Sequence, residues 1–252
     1  MFKITRSVNN TQYFTLAPLE QITSIAHAFS TRLIQNNAVD KGGYEEKENR
    51  SLLCEALDIN PAKLVVGRQI HGNSVAVVKE KMEHIIADAF ITDQPGLALA
   101  VLTADCLPII IIEKNRPSVG IVHAGRQGTL LRVVTHALTQ MVRLFKAVAQ
   151  DCLISIGPGI GPCCYEIPLG LARPFQESFD YWEEFLWERR GGFFTLDLIK
   201  ANQLQLMELG IKERNIFTLN LCTCCNPELF YSYRREKGDS RRMLNLVMLR
   251  DL

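Results

Sequence analysis

The sequence predicts a mixed α/β fold in a single domain over residues 1–252, because strand-like and helix-like patterns alternate and no Pro-, Gly- or Ser-rich linker divides the chain. Residues 63–66 and 74–78 are β-rich runs on either side of a predicted turn. Nearly continuous apolar runs, which are typical of strands buried on both faces, follow at residues 97–103, 109–112 and 119–122.

The apolar period changes after Gly128. Apolar side chains recur every three or four residues from Leu130 to Val148, which predicts one amphipathic helix. A second helix is predicted over residues 196–209, where Gly210 is well placed to end it. The polar residues 35–46 are predicted to form a loop. The remaining predicted strands are residues 152–156, 217–221, 229–233 and 244–249, with a turn at residues 237–240 joining the last two.

Composition excludes several classes of function. The chain has 28 Lys and Arg against 27 Asp and Glu, a formal net charge of +1, so we expect no broad attraction to nucleic acid or to an acidic membrane surface. The most apolar stretch, residues 97–112, is interrupted by Asp105 and Pro108 and is too short for a membrane span. The first ten residues lack the apolar core of a secretory signal, so we expect a cytoplasmic protein with reduced thiols.

Three residues at predicted strand ends can form a metal site: His71, Cys106 and His123. Two neutral imidazoles and one thiolate suit a tetrahedral zinc ion, and three protein ligands would leave a fourth position for water or substrate. Because the three are far apart in sequence, packed Cys and hydrogen-bonded His remain a second interpretation. Asp105 lies beside Cys106 and either caps a loop or faces the same crevice.

Five motifs occur in an order that resembles the YfiH-like family, whose members have been labelled polyphenol oxidase or laccase-domain proteins. The motifs are QIHG at residues 69–72, TADCLP at 103–108, HAG at 123–125, IGPGIGPCCYE at 156–166 and YSYRR at 231–235. The resemblance implies a layered α/β sandwich of mixed sheets, with a zinc ion held by His71, Cys106 and His123.

The same resemblance implies a purine nucleoside phosphorylase whose partners are a purine nucleoside and inorganic phosphate. Adenosine, inosine and guanosine are the implied substrates, together with methylthioadenosine, and deamination of adenosine is an implied side activity. Bacterial members are also linked to peptidoglycan editing. Copper, as Cu²⁺, is an alternative metal that the older family label suggests.

A phosphorylase must bind phosphate, and residues 234–242 contain five basic and two acidic residues. Paired arginines suit bidentate capture of this anion. We therefore predict Arg235 as a catalytic residue that holds phosphate, and Asp105 as the catalytic proton carrier. Gln69, Arg234 and Arg241 are the predicted substrate-binding residues.

One motif departs from the family pattern. The family continues His-Ala-Gly with Trp-Arg-Gly, whereas this chain continues with Arg126, Gln127 and Gly128. The aromatic ring is missing and the arginine stands one position earlier. We therefore expect the substrate preference to differ from that of other members.

Two other motifs receive structural interpretations. Residues 157–162 follow a strand and resemble a phosphate loop, but Pro158 and Pro162 remove backbone N–H groups that a phosphate cradle needs. We predict a structural loop there. The cysteines at residues 163–164 and 222–225 suggest a second metal or a disulfide, but we predict buried free thiols, because adjacent cysteines cannot both face inward on an extended strand.

The alternative function is a cysteine hydrolase or amidase acting in peptidoglycan precursor editing. Cys106 would then be the nucleophile, with His123 or His71 as its base. A non-enzymatic partner protein is a third class, against which the complete His-Cys-His set and the arginine-rich segment both argue.

Overall fold

The computed structural model of the chain describes residues 2–7, 11–33, 50–237 and 241–251. The predicted loop at residues 35–46 lies outside them. The strands are β1 (Phe2–Arg6), β2 (Gln12–Leu16), β3 (Ile25–Ser30), β4 (Leu64–Val66), β5 (Val75–Val77), β6 (Ala89–Thr92), β7 (Ala98–Thr103), β8 (Leu107–Glu113), β9 (Ser118–Ala124), β10 (Cys152–Ile156), β11 (Glu166–Pro168), β12 (Leu186–Arg189), β13 (Phe193–Leu196), β14 (Ile216–Thr218) and β15 (Met243–Leu249). The helices are α1 (Ala17–Glu20), α2 (Arg50–Ala56), α3 (Arg126–Leu130), α4 (Val133–Phe145), α5 (Leu169–Ser178), α6 (Leu198–Glu208) and α7 (Tyr233–Glu236).

The described strands form two six-stranded sheets and a smaller one. The first sheet has the order β1-β2-β3-β15-β7-β4, the second β14-β10-β8-β9-β6-β5 and the small sheet β11-β13-β12. Both large sheets are mixed, since β4 pairs with β7 in parallel and β10 pairs with β14 in parallel, while most other pairs are antiparallel. The predicted α/β sandwich of mixed sheets is confirmed.

The apolar runs of the central strands are continuous because both faces of each large sheet are covered. Ile110 and Ile112 of β8 belong to the core between the two sheets, whereas Ile109 and Ile111 belong to a second core with helices α4, α5 and α6. Helix α2 covers the outer face of the first sheet, where Leu53 and Cys54 join the third core. Burial on both faces removes the polar alternation that a half-exposed strand would show.

Three predicted elements differ from the structure, and the first is the strand predicted at residues 217–221, which is β14 and ends at Thr218. The helix predicted over residues 130–148 is the shorter helix α4, because Arg132 has a left-handed φ of 57° before its first residue and Lys146 ends it with a φ of 60°. The strand predicted at residues 229–233 is wrong, and so is its hairpin with the last strand. Residues 229–232 have no strand partner, and the chain enters α7, whose N-cap Ser232 accepts a hydrogen bond from the Arg235 N–H.

Gly210 stands where the second predicted helix ends: α6 stops at Glu208, and Gly210 has the positive φ of 87° that suits glycine after a helix. Within the described part of the chain, no helix combines the length and apolar character needed to cross a membrane.

We expect His27 on β3 to make stability depend on pH. Burial lowers the pKa of His27 to about 4, although Glu20 opposes the shift, and its Nε2 accepts a hydrogen bond from the Leu16 N–H at 2.8 Å. The unfolded chain therefore binds the proton first as the pH falls. The stability that neutral His27 contributes is present above about pH 6.5 and is lost towards pH 4, by roughly 3 kcal/mol in total. Denaturant unfolding of wild type and His27→Gln at several pH values measures this loss.

His136→Gln on the exposed side of α4 is the matched control, and it should keep the wild-type pH dependence. Parallel pH curves for wild type and His27→Gln would contradict the assignment.

Candidate active site

A cavity of about 650 Å³ opens beside the end of the two large sheets. Its volume is within the range of about 300–1,000 Å³ that is common for small-molecule sites. Six of its lining residues carry groups that can bind a metal or a substrate through nitrogen, sulfur, charge or an aromatic ring: His71, Cys106, His123, Arg126, Tyr165 and Arg234. The cavity therefore unites all three predicted metal ligands with basic and aromatic side chains.

The topology brings the predicted metal ligands together from three segments. Cys106 lies in the short connection from β7 to β8, where the chain crosses from the first sheet to the second. His123 is on β9, opposite Pro108 of β8, which places it next to Cys106. His71 lies in the loop after β4 with a positive φ of 61°.

The geometry of this trio fits a metal ion. The possible ligand atoms of His71, Cys106 and His123 all lie within 4.8 Å of one another. The two imidazole rings are nearly perpendicular, at 76°, with centroids 4.8 Å apart. An ion bound at the usual distances of about 2.0–2.3 Å could contact all three, and a fourth position would be left on the side of the cavity that they line. One sulfur and two nitrogen donors suit a borderline transition metal.

Asp88, which sequence reasoning missed, positions both histidines. Its carboxylate is fully buried and lies 2.9 Å from Nδ1 of His123. It also accepts hydrogen bonds from the backbone N–H groups of His71 at 2.9 Å and Gly72 at 2.7 Å, and more weakly from Ile70. A carboxylate bound to Nδ1 leaves Nε2 of His123 to face Cys106, which is the usual support of a metal-binding histidine.

The charges of this group stabilise each other. Burial by itself would raise the pKa of the Cys106 thiol, but the neighbouring His123 and His71 lower it to about 6. Burial disfavours protonated His123, but Cys106 and Asp88 raise its pKa to about 9. Burial alone would raise the pKa of Asp88, but the hydrogen bonds from His123 and from the backbone lower this pKa overall. Without a metal, the site thus holds a thiolate beside an imidazolium.

Gly125 is required by close packing at this centre. A Cβ atom at that position would lie 2.7 Å from Sγ of Cys106 and 3.3 Å from Cδ2 of His71. Such a short contact with sulfur forces something to move. The glycine of the HAG motif therefore lets α3 begin directly against the trio.

Asp105 and Gln69 line the cavity, but their polar atoms also hold neighbouring segments. Asp105 accepts a hydrogen bond from Oγ1 of Thr223 at 2.6 Å and another from the backbone N–H of Arg234 at 2.7 Å. The side-chain amide of Gln69 donates to and accepts from the backbone of Leu102, at 2.8 Å in each case. Their predicted catalytic and substrate-binding roles stay predictions.

The predicted arginines have different positions. Arg234 lines the cavity, with its guanidinium 5.2 Å from the ring of Tyr165. Arg235 and Arg241 are not among the lining residues, and Arg241 stacks 4.8 Å from the ring of Tyr231. The guanidinium of Arg235 donates to three backbone carbonyls, those of Thr223, Cys224 and Phe230. The phosphate-binding role of Arg235 and the substrate role of Arg241 stay predictions.

The loop at residues 157–162 is structural, as its prolines predict. Its N–H groups are already bonded within the protein: Gly157 donates to Pro108, and Ile160 donates to Asp105. A Cβ atom at Gly159 would lie 2.3 Å from Leu107. The loop therefore packs under the β7–β8 connection and has no free N–H cradle at these positions.

Comparison with known proteins identifies the family. A family model described as multi-copper polyphenol oxidoreductase laccase matches residues 37–250. The chain belongs to this laccase-domain family. The predicted YfiH-like resemblance is thus confirmed, and the matched range contains the three residues of the metal-ligand trio.

Relatives of this laccase-domain chain carry phosphorylase names. Purine nucleoside phosphorylase YlmD of Geobacillus stearothermophilus is 31% identical over 214 residues, which cover 81% of this chain and 78% of that protein. Purine nucleoside phosphorylase ORF3 of Streptomyces griseus is 34% identical over 198 residues, 77% of each chain. The crystal structure of hypothetical protein YfiH from Bacillus licheniformis has the same fold, with a TM-score of 0.86 at 23% identity over 98% of this chain and 99% of that one.

The departure of this laccase-domain chain from the usual motif does not remove arginine from the cavity. Arg126 is the first residue of α3, and both it and Gln127 line the cavity. Tyr165 and Arg242 also line it, although neither was among the predicted site residues; Arg242 belongs to the basic segment at residues 234–242. For Tyr165 the available signal was its place within the CCYE motif.

We expect Asp88→Asn to weaken metal binding by about 10- to 100-fold, because an amide cannot stabilise the orienting N–H of His123 as a carboxylate does. Competition with a chromogenic chelator measures the affinity, and circular dichroism checks that the variant is folded. Asp93→Asn, which removes the exposed ion pair with Lys79 at 2.7 Å, is the matched control and should bind metal as wild type does. Equal affinities for wild type and Asp88→Asn would refute the orienting role.

Proposed function

We propose that this chain is a zinc-dependent purine nucleoside phosphorylase that acts on adenosine, inosine and guanosine. The observation that carries the proposal is one cavity in which the metal-ligand trio faces arginines and tyrosines. Family membership and the names of the two relatives support it. We extend the proposal to methylthioadenosine phosphorolysis and to adenosine deamination as a side activity, which the family resemblance implies.

Arg126 is the proposed primary phosphate ligand. Within the described residues, its guanidinium has no hydrogen bond or ion pair, although it lines the cavity. Arg234 is held beside it by bonds to the carbonyls of Cys164 and Glu166, and Arg242 completes the basic wall. A group of guanidinium ions favours a dianion at this wall.

The nucleoside would lie against the apolar part of the cavity. Tyr165, Tyr233 and Ile160 provide flat or apolar surface for a purine ring. Burial, together with the charge of Cys106, raises the pKa of Tyr165 to about 12. Its phenol therefore stays protonated at neutral pH and can donate a hydrogen bond to the base.

In phosphorolysis, a phosphate oxygen forms a bond to C1′ of the ribose while the bond from C1′ to the purine nitrogen breaks. The electron pair of that bond leaves with the purine, which takes up a proton. Arg126 and Arg234 would orient the phosphate for attack. His71, Cys106 and His123 would hold the zinc ion, which when bound supplies a Lewis acid at the substrate.

The other predicted residues have proposed roles that agree with their contacts. We propose that Asp105, in addition to its predicted proton transfer, fixes the backbone of Arg234. We propose that Arg235 contributes to phosphate binding through the position of its neighbour Arg234, and that Gln69 lines the substrate space. Arg241 would contribute to substrate binding through its neighbour Arg242, which lines the cavity. Copper is the alternative ion for the same ligands.

Residues 1–252 would act as one catalytic domain in the cytoplasm. The proposed partners are a purine nucleoside and inorganic phosphate, and neither nucleic acid nor a membrane is required.

We expect Arg126→Ala to lower kcat/KM for phosphate by about 10- to 100-fold, because one charge-assisted hydrogen bond is lost. Release of adenine and hypoxanthine from their nucleosides, followed by chromatography with and without phosphate, measures the activity. A chelator should abolish it and zinc should restore it. Arg143→Ala on the exposed face of α4 is the matched control. A zinc-loaded protein that leaves these nucleosides intact would exclude the proposed function.

A cysteine hydrolase is a second candidate because Cys106, His123 and Asp88 also have the arrangement of a nucleophile, its base and an orienting carboxylate. In that case, the sulfur of Cys106 would form a bond to the amide carbonyl carbon of a peptidoglycan precursor, the amine would leave with a proton from His123, and water would hydrolyse the resulting thioester. Peptide mapping after exposure to iodoacetamide tests the nucleophile in metal-free protein.

Because neighbouring histidines lower the pKa of Cys106 to about 6, we expect its alkylation rate to be near its maximum at pH 7. Cys152 is the internal control, since burial raises the pKa of its thiol to about 12. Zinc should protect Cys106 if the metal site is correct. Rapid alkylation that zinc leaves unchanged, with turnover of an amide substrate, would favour the hydrolase.

A further inference from the structure

Four thiols outside the metal-ligand trio lie close together at the surface, where two loops are in contact. Cys163 and Cys164 are in the loop between β10 and β11, and Cys222 and Cys225 are in the loop between β14 and α7. The four sulfurs all lie within 4.8 Å of one another. The prediction that these cysteines are buried is wrong, because Cys163 and Cys225 are exposed and Cys164 and Cys222 are only partly buried.

The backbone explains how adjacent cysteines can face the same point. Residues 162–164 form a turn rather than a strand, closed by a hydrogen bond from the Cys164 N–H to the Gly161 carbonyl at 3.0 Å. In a turn, successive side chains need not alternate between opposite faces as they do in a strand. The second loop contributes Cys222 and Cys225, whose two-residue gap is the spacing of many zinc sites.

The distances between these sulfurs suit ligands of one ion better than a disulfide. Sγ of Cys225 lies 3.3 Å from that of Cys164 and 3.5 Å from that of Cys163. A disulfide needs about 2.05 Å. Tetrahedral zinc with bonds of about 2.3 Å to sulfur places its ligands about 3.8 Å apart, so the four sulfurs already have nearly the right separation.

The surroundings of Cys222 resemble the support of a metal-bound sulfur. The backbone N–H of Gly161 donates to Sγ of Cys222 at 3.2 Å. Asn226 closes the second loop through its side chain, which donates to the Cys222 carbonyl at 2.8 Å. The two loops are joined by the Thr223 N–H, which donates to the Gly159 carbonyl at 3.0 Å. Outer contacts of this kind orient ligands before a metal arrives.

We propose that Cys163, Cys164, Cys222 and Cys225 form a second metal site, a structural zinc site with four cysteine ligands. Four protein ligands leave no open position, so this ion would not bind substrate. It would fasten the loop that carries Tyr165 to the loop that carries Thr223, which bonds to Asp105. The site is separate from the metal-ligand trio and does not depend on the proposed function.

Metal analysis of protein purified under reducing conditions with zinc present tests the proposal. We expect about two zinc ions per chain in wild type, and about one in either Cys106→Ser or Cys225→Ser. Cys224→Ser is the matched control, because this neighbour is outside the four-cysteine group, and it should keep both ions. A Cys225→Ser protein with undiminished zinc would overturn the proposal.

A second measurement does not rely on the folding of Cys225→Ser. Cobalt bound to the Cys106→Ser protein should give the strong thiolate charge-transfer absorption of a sulfur-rich site. Alkylation of the exposed Cys163 and Cys225 should also be at least about 10-fold slower with zinc than after chelation. Absence of that absorption, or a disulfide among the four cysteines found by mass spectrometry, would reject the zinc site. Both readouts follow metal rather than catalysis, so a chain without phosphorylase activity would still be informative.

Discussion

The buried carboxylate of Asp88 organises the centre of this protein. It accepts hydrogen bonds from the loop of His71 and lies 2.9 Å from the ring of His123, so one anion connects a loop to a central strand. A buried carboxylate is costly unless it is fully bonded, and these partners keep its pKa low despite burial. The backbone reinforces the link, since the His123 N–H donates to the Asp88 carbonyl at 2.7 Å. Asp88 therefore holds the ring of His123 and the backbone of His71.

The sandwich then brings the remaining groups to this centre. Cys106 lies where the chain changes sheets, and Asp105 beside it has a φ of 91°, an unfavourable conformation for a residue with a side chain. The bonds from Thr223 and Arg234 to its carboxylate hold that conformation. Strain at the crossing is thus offset by contacts that also place Arg234 at the cavity. Fold and site are coupled at this connection.

Sequence patterns predicted the parts of the molecule in which both faces are apolar. Strands β7 to β10 could be predicted because burial on both faces makes their sequences continuous apolar runs. Strand β3 could not be predicted, because His27 and Ser30 are polar and acquire their hydrogen-bond partners only in the folded sheet. For example, Oγ of Ser30 accepts a hydrogen bond from the Leu244 N–H. The metal-ligand trio could be predicted from residue types and family motifs. Asp88 could not be predicted, because an aspartate before a strand has no distinctive pattern until its four donors are brought around it.

The role of His71 decides between the two chemistries that the centre can support. A cysteine nucleophile needs one histidine as base and one group that orients it, and His123 with Asp88 already supplies both. His71 would then be superfluous, yet the same carboxylate fixes its backbone and its ring lies 4.8 Å from that of His123. A metal ion would use all of these contacts, because three donors converge while the carboxylate orients the ring of His123 and holds the backbone of His71. The position of His71 therefore favours a metal site over a cysteine nucleophile at this centre.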